Sequence, residues 1–155
     1  MLINFINNYR KQTIPLHEEL LRQRTFFLLE QVGRAESSLS IVLLDDTAIA
    51  EYNQQYRSKQ GPTNVLSFPV AEYNIDSDAE ITEKLAHDEL GDILISVDTA
   101  QKEAQEKQIS LHRWLSELII HGLLHLLGYD HEQSEAQAAH MQNKERQLFR
   151  AIQSI

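Results

Sequence analysis

The segment from His121 to His131 constrains this chain more than any other, because it places three histidines within eleven residues. His121 and His125 lie four residues apart in an apolar, helix-patterned stretch, so their imidazoles project from one helix face about one turn apart. Gly128 then supplies a residue that can turn the chain back, and His131 follows from outside the helix. Three nitrogens arranged in this way predict a zinc site with one open coordination position.

Histidines on an apolar helix face have a second interpretation, as core residues hydrogen-bonded to the backbone. His121 follows Trp114 by seven residues and Leu118 by three, which places it on the buried side of the helix. Two unpaired imidazoles buried side by side would be costly, and a shared metal ion removes that cost. Metal binding is therefore the stronger prediction.

Composition predicts a single domain, 1–155, with the 42% hydrophobic and 24% charged residues of an ordinary globular protein. The absence of cysteine excludes disulfides, thiolate ligands and a cysteine nucleophile. The sequence contains neither a signal-peptide core nor a membrane-length apolar run, so we expect a cytoplasmic protein without membrane contacts. The net charge is -9, and residues 72–92 contribute eight acids against Lys84 alone. Any RNA contact must therefore come from a local basic patch.

Hydrophobic periodicity and capping residues predict short strands that alternate with helices early in the chain, followed by a cluster of helices. We expect an α+β fold, in which a small mixed β-sheet of about four strands is covered by about five helices. The metal site would lie on a late helix and the turn after it. The predicted strands are Leu2–Ile6, Ser38–Leu44, Asn64–Phe68 and Ile93–Ser96, and the predicted helices run from Pro15 to Gly33, from Thr47 to Arg57, from a Ser96 or Asp98 cap to Lys107, and onward from caps at Ser110 and Ser134.

Gly122 separates this histidine pattern from a well-known metal-binding frame. The spacing His-x-x-x-His-x-x-Gly-x-x-His matches the metzincin peptidases, which place the glutamate base directly after the first histidine. Here that position is Gly122, so ordinary peptide hydrolysis through the motif would lack its proton acceptor. Our hypothesis is that the missing side chain opens space beside the metal for a bulky substrate; the alternative is tight packing against a neighbouring element.

With glycine at that place, the segment HGLLHLLGYDH resembles the signature of the YbeY family of metal-dependent endoribonucleases and ribosomal RNA maturation factors. Two further segments are similar to that family: Tyr56-Arg57-Ser58-Lys59 followed by PTNVLSFP (62–69), and LGDILIS (90–96). The resemblance implies a cytoplasmic protein that cuts single-stranded RNA, processes the 3′ end of small-subunit ribosomal RNA and acts in ribosome quality control. Its implied partners are ribosomal RNA and the ribosome or ribosomal proteins.

The resemblance also implies site residues. One zinc ion would be held by His121, His125 and His131, and the family's functionally important arginine corresponds to Arg57. A guanidinium suits the non-bridging oxygens of a phosphodiester, although Arg57 is equally well explained as an exposed surface cation. The attacking group could be a water or the RNA's own 2′-hydroxyl.

Three other residues near these motifs have weaker cases. Lys59 could contact the RNA backbone, Asp130 could orient a ligand but more simply shapes the turn, and His140 is an outside candidate for a fourth ligand. Two other functions are also compatible with the motifs. One is a ribosome-binding assembly factor with a structural zinc, and the other is a metallohydrolase of peptides or small molecules, which Gly122 disfavours.

Overall fold

The computed structural model describes residues 3–11, 14–70, 89–130, 132, 134–153 and 155. These residues form four strands and five helices, which matches the predicted α+β class. None of the helices in these ranges combines the length and the apolar run that crossing a bilayer requires. The strands are β1 (Ile3–Asn7), β2 (Ser38–Leu44), β3 (Val65–Pro69) and β4 (Glu89–Ser96), and the helices are α1 (Glu18–Gln31), α2 (Asp46–Arg57), α3 (Val97–Lys107), α4 (Leu111–Leu126) and α5 (Glu135–Ile152).

The described strands form one mixed sheet in the order β1-β2-β4-β3. Strands β1 and β4 each pair in parallel with β2, and β3 pairs antiparallel with β4. Strand β4 begins at Glu89, earlier than the predicted Ile93, because it pairs with the full length of β2 from Ser38 onward. Gly91 allows this extension, since its φ of +135° and the overlap that a Cβ would make with the carbonyl oxygen of Phe68 exclude other residues.

The sheet has a heavily covered face and a lightly covered one. Ile93 and Ile95 of β4 point into the main core, which α1, α4 and α5 cover. Leu94, between them in the strand, points to the other face and packs with Ile49 of α2 in a smaller cluster. Helix α4 is buried along most of its length and contacts α1, α3, α5, β3 and β4, so it is the central helix of the domain.

Short polar side chains begin four of the helices, as the sequence predicted. Asp45, Ser96, Ser110 and Ser134 each accept a hydrogen bond from the backbone N–H three residues later, at 2.8 to 3.2 Å. Helix α1 differs, since it begins at Glu18 rather than near Pro15. The amide of the preceding His17 donates to Nε2 of His112 on α4 at 2.9 Å, so tertiary packing fixes this boundary.

The chain after β1 is tied to α3 through the carboxylate of Asp98. The Tyr9 hydroxyl and the Lys11 ammonium donate to it at 2.9 and 2.7 Å, and the backbone N–H of Asp46 donates at 3.0 Å. Burial acts to raise the pKa of Asp98, but these three hydrogen bonds outweigh it and hold that pKa below its usual value. Burial of the Tyr9 hydroxyl, together with its hydrogen bond to Asp98, raises the pKa of Tyr9 to about 12.

Candidate metal centre

His121 and His125 lie near the C-terminal end of α4, and their rings meet edge to face. Their Nε2 atoms are 3.1 Å apart, and the ring planes are inclined by 79°. Two zinc–nitrogen bonds of about 2.0–2.1 Å at a tetrahedral angle would separate the nitrogens by about 3.3 Å. The observed separation of 3.1 Å fits both an N–H···N hydrogen bond between the rings and two nitrogen ligands of one zinc ion.

Glu145 on α5 holds the other nitrogen of His121. Its Oε2 lies 3.1 Å from Nδ1, and the two side chains are 29% and 31% exposed, so the contact is only partly screened by water. A carboxylate there keeps the proton on Nδ1 and leaves the Nε2 lone pair for a metal, as partners of metal-bound histidines commonly do. No local sequence pattern points to Glu145, because only the packing of α5 on α4 brings it to His121 across 24 residues.

The chain turns away from α4 through a glycine, as predicted. Gly128 has a φ of +95°, its N–H donates to the carbonyl of His125 at 3.0 Å, and the N–H of Tyr129 donates to that of Leu124 at 2.9 Å. This pair of hydrogen bonds ends the helix directly after the second histidine. Asp130 accepts the N–H of Glu132 at 2.8 Å, which supports its role in shaping the turn.

The predicted third ligand, His131, lies outside the described residues, so its place in the site stays a prediction. Within the described part of the chain, no three His, Asp or Glu side chains are grouped so that they could hold a metal ion. This applies to His140, which is exposed and stacks on Tyr129 with ring centroids 5.1 Å apart. A fourth protein ligand at His140 is therefore not supported.

Gly122 is a packing residue, and the hypothesis that it opens space for substrate is wrong. A Cβ at this position would lie 2.8 Å from Cγ2 of Ile93 and 3.2 Å from Oγ of Ser67. The Ser67 hydroxyl also donates to the carbonyl of Gly122 at 3.2 Å. Strand β3 and helix α4 thus approach too closely for a side chain, and a metzincin-type glutamate would not fit here.

Arg57 occupies the last position of α2, on the other side of the sheet from α4, and is exposed. Among the described residues its guanidinium has no hydrogen-bond or ion-pair partner. Lys59 is exposed in the turn that follows. Arg57 and Lys59 are thus two neighbouring exposed cations beyond α2, and their part in RNA binding and in chemistry stays a prediction.

A cleft of about 540 Å³ lies between α4 and α5 on the Nδ1 side of His121. Glu145 forms part of its wall, together with Glu117, Arg146, Phe149 and Arg150. Neither His121 nor His125 is among the residues that line it. It gives water access to the carboxylate that orients His121.

The chain is similar to one family over nearly its whole length. Residues 5–153 match the model of the family described as Endoribonuclease YbeY. A protein of that name from Syntrophus aciditrophicus is 41% identical over 96% of this chain and 88% of its own, and one from Geobacter metallireducens is 39% identical over 93% and 92%. The solution structure of TM1509 from Thermotoga maritima superposes with a TM-score of 0.64 at 26% identity, covering 97% of this chain and 88% of that one. The chain therefore belongs to the YbeY family.

Proposed function

We propose that this chain is a zinc-dependent endoribonuclease that cuts single-stranded RNA. Its place of action would be the cytoplasm, in 3′-end maturation of small-subunit ribosomal RNA and in ribosome quality control. The relatives named as endoribonucleases support RNA cleavage. The observation that carries the metal dependence is the convergence of two Nε2 atoms at 3.1 Å, with a carboxylate on the far nitrogen of one ring.

Each residue of the site has a distinct task in this proposal. His121, His125 and His131 would hold the zinc ion, which supplies Lewis-acid stabilisation of the charge that develops on a phosphodiester. Glu145 fixes the tautomer of His121 and so keeps its Nε2 unprotonated. Arg57 would bind the non-bridging phosphate oxygens through its paired N–H donors. Gly122 has no carboxylate, so it cannot take the proton from the attacking water or 2′-hydroxyl.

The test compares metal content per chain with cleavage of a labelled single-stranded RNA. His125→Ala and His131→Ala are expected to lose both zinc and cleavage, whereas the control His140→Ala, at an exposed ring that stacks on Tyr129, keeps both. An Arg57→Ala variant is expected to keep zinc and lose cleavage. Cleavage that survives in a zinc-free, folded His125→Ala protein would refute the proposal.

A ribosome-binding assembly factor with a structural zinc is the second candidate, favoured by the net charge of -9, which suits protein partners better than RNA. The two functions differ in the effect of metal on the pure protein. If His125→Ala unfolds the domain and the zinc-loaded parent fails to cut RNA, the second function is correct. If the metal-free parent stays folded and zinc restores cleavage, the enzyme is correct.

A further inference from the structure

Three aromatic side chains form a partly exposed cluster on the α2 side of the sheet, which we call the aromatic platform: Tyr52, Tyr56 and Phe68. The tyrosines are one helical turn apart on α2, with ring planes inclined by 16° and centroids 6.1 Å apart. The ring centroid of Phe68 on β3 lies 5.2 Å from that of Tyr56 and 6.4 Å from that of Tyr52. Tyr56 is 59% and Tyr52 39% exposed, so both side chains are accessible to solvent.

The two tyrosines of the platform are not among the buried residues that attach α2 to the sheet. Ile49 and Asn53 are the buried residues of that helix, and Ile49 packs in the small cluster beneath it. Only five large hydrophobic residues are exposed in the described part of the chain, and two of them are Tyr52 and Tyr56. Contiguous exposed apolar patches, unlike single exposed apolar residues, are typical of interaction sites.

The charges next to the platform suit a polyanion. Arg57 and Lys59 follow Tyr56 by one and three residues, and both are exposed without a carboxylate partner among the described residues. Ser58, with a φ of +55°, ends the helix and turns the chain between them. Asp92 lies directly opposite Phe68 in the strand pairing, so phosphates would be excluded from that end and drawn toward the cations.

Strand β3 connects the platform to the histidine pair. Phe68 points to the α2 face, and its neighbour Ser67 points to the opposite face, where its hydroxyl donates to Gly122 beside His121. A strand of RNA that crosses β3 could therefore contact both sites. The rings would stack with bases, which all have π faces, and the cations would contact the backbone, as in proteins that bind single strands without sequence preference.

We propose that the aromatic platform is a base-stacking subsite for single-stranded RNA, with Arg57 and Lys59 on the adjoining phosphates. The identification of the ligand as RNA rests on the proposed function. The subsite itself is a separate claim, because it concerns binding by the platform and not cleavage at the metal. The occupant is RNA and not a protein, since the rings are followed by two exposed cations that have no carboxylate partner among the described residues, on a chain that is otherwise acidic.

The test measures binding of a fluorescein-labelled oligouridylate to metal-stripped protein by anisotropy. Tyr52→Ala and Tyr56→Ala are each expected to raise Kd about 5- to 100-fold, while Tyr56→Phe keeps the ring and stays within about twofold of the parent. Phe26→Ala is the matched control, since Phe26 is 43% exposed on α1, and it should leave Kd unchanged. Lys59→Ala should lower the slope of log K against log salt by about 0.7.

Several results would overturn the subsite. One is an unchanged Kd in a folded Tyr52→Ala, Tyr56→Ala double variant, and another is a loss in Tyr56→Phe as large as in Tyr56→Ala. A third is a double variant that binds RNA normally but no longer co-sediments with ribosomal proteins, which assigns the platform to a protein partner. A parent that binds through the platform but never cuts RNA refutes the nuclease and keeps the subsite. A parent that cuts RNA while the alanine variants bind equally well refutes the subsite and keeps the nuclease.

Discussion

Replacement of Gly122 by alanine gives a sharp test of how the metal-bearing helix is seated on the sheet. The new methyl would lie 2.8 Å from Cγ2 and 3.2 Å from Cγ1 of Ile93. Ile93 is fully buried in β4, an inner strand of the described sheet, and its β-branched side chain has little rotamer freedom. The overlap must therefore be relieved by moving the helix or the strand.

The magnitude follows from two opposing terms. Alanine in place of a helical glycine gains roughly 1 kcal/mol, and an extra methyl in a full core costs about 1–3 kcal/mol. In the parent the change should therefore destabilise the fold by up to about 2 kcal/mol. In an Ile93→Ala background the overlap with Ile93 is gone and only the 3.2 Å contact with the Ser67 hydroxyl remains, so the same Gly122→Ala change should stabilise by up to about 1 kcal/mol. The sign of the effect reverses between the two backgrounds.

The assay is urea unfolding followed by circular dichroism, with a chelator present so that metal binding adds nothing to stability. Four proteins complete the cycle: the parent, each single variant and the double variant. The expected coupling energy is about 1–3 kcal/mol, far above the few tenths expected for independent sites. Gly122→Ala effects that agree within about 0.5 kcal/mol in the two backgrounds would show that the close approach to Ile93 does not govern this position.

Three further changes test the parts of the structure around the core. Glu145→Gln should weaken zinc affinity about 10- to 100-fold in a chelator competition while urea unfolding of the metal-free protein barely changes, and unaltered affinity would separate Glu145 from the metal centre. Because the pKa of Asp98 is lowered, its stabilising effect is complete above pH 3.8 and disappears as the pH falls through the folded-state pKa. Asp98→Asn should therefore flatten the fall of the urea midpoint on the acid side. An acid-side fall identical to that of the parent would contradict this. Tyr9 has its pKa raised from 10.0 to about 12, so its contribution is present below pH 10.0 and is lost as the pH rises toward 12. Tyr9→Phe should remove that base-side loss, as measured by the same midpoints.

Local signals account for the features that the sequence predicted correctly. Asp45, Ser96 and Ser110 cap helices through contacts with residues only three positions away, so nothing beyond the local sequence is needed to place them. The turn at Gly128 is equally local. The start of β4 at Glu89 is different, because it depends on pairing with β2, some fifty residues earlier, across a register shift.

The metal centre also has one part that the local sequence predicts and another that depends on tertiary packing. Its histidine pair was predictable, because four-residue spacing on a helix brings two rings together wherever that helix lies. What was missed comes from other elements: the carboxylate of Glu145 on α5 holds one side of His121, and Ser67 and Ile93 of the sheet pack against the next residue, Gly122. A glycine at position 122 is compatible with an open cleft and with a close contact, because both require a missing side chain. Only the distance between α4 and β3 distinguishes the two. The surroundings of the histidine pair thus come from α5, β3 and β4 as well as from α4, and the site depends on tertiary packing as much as on its motif.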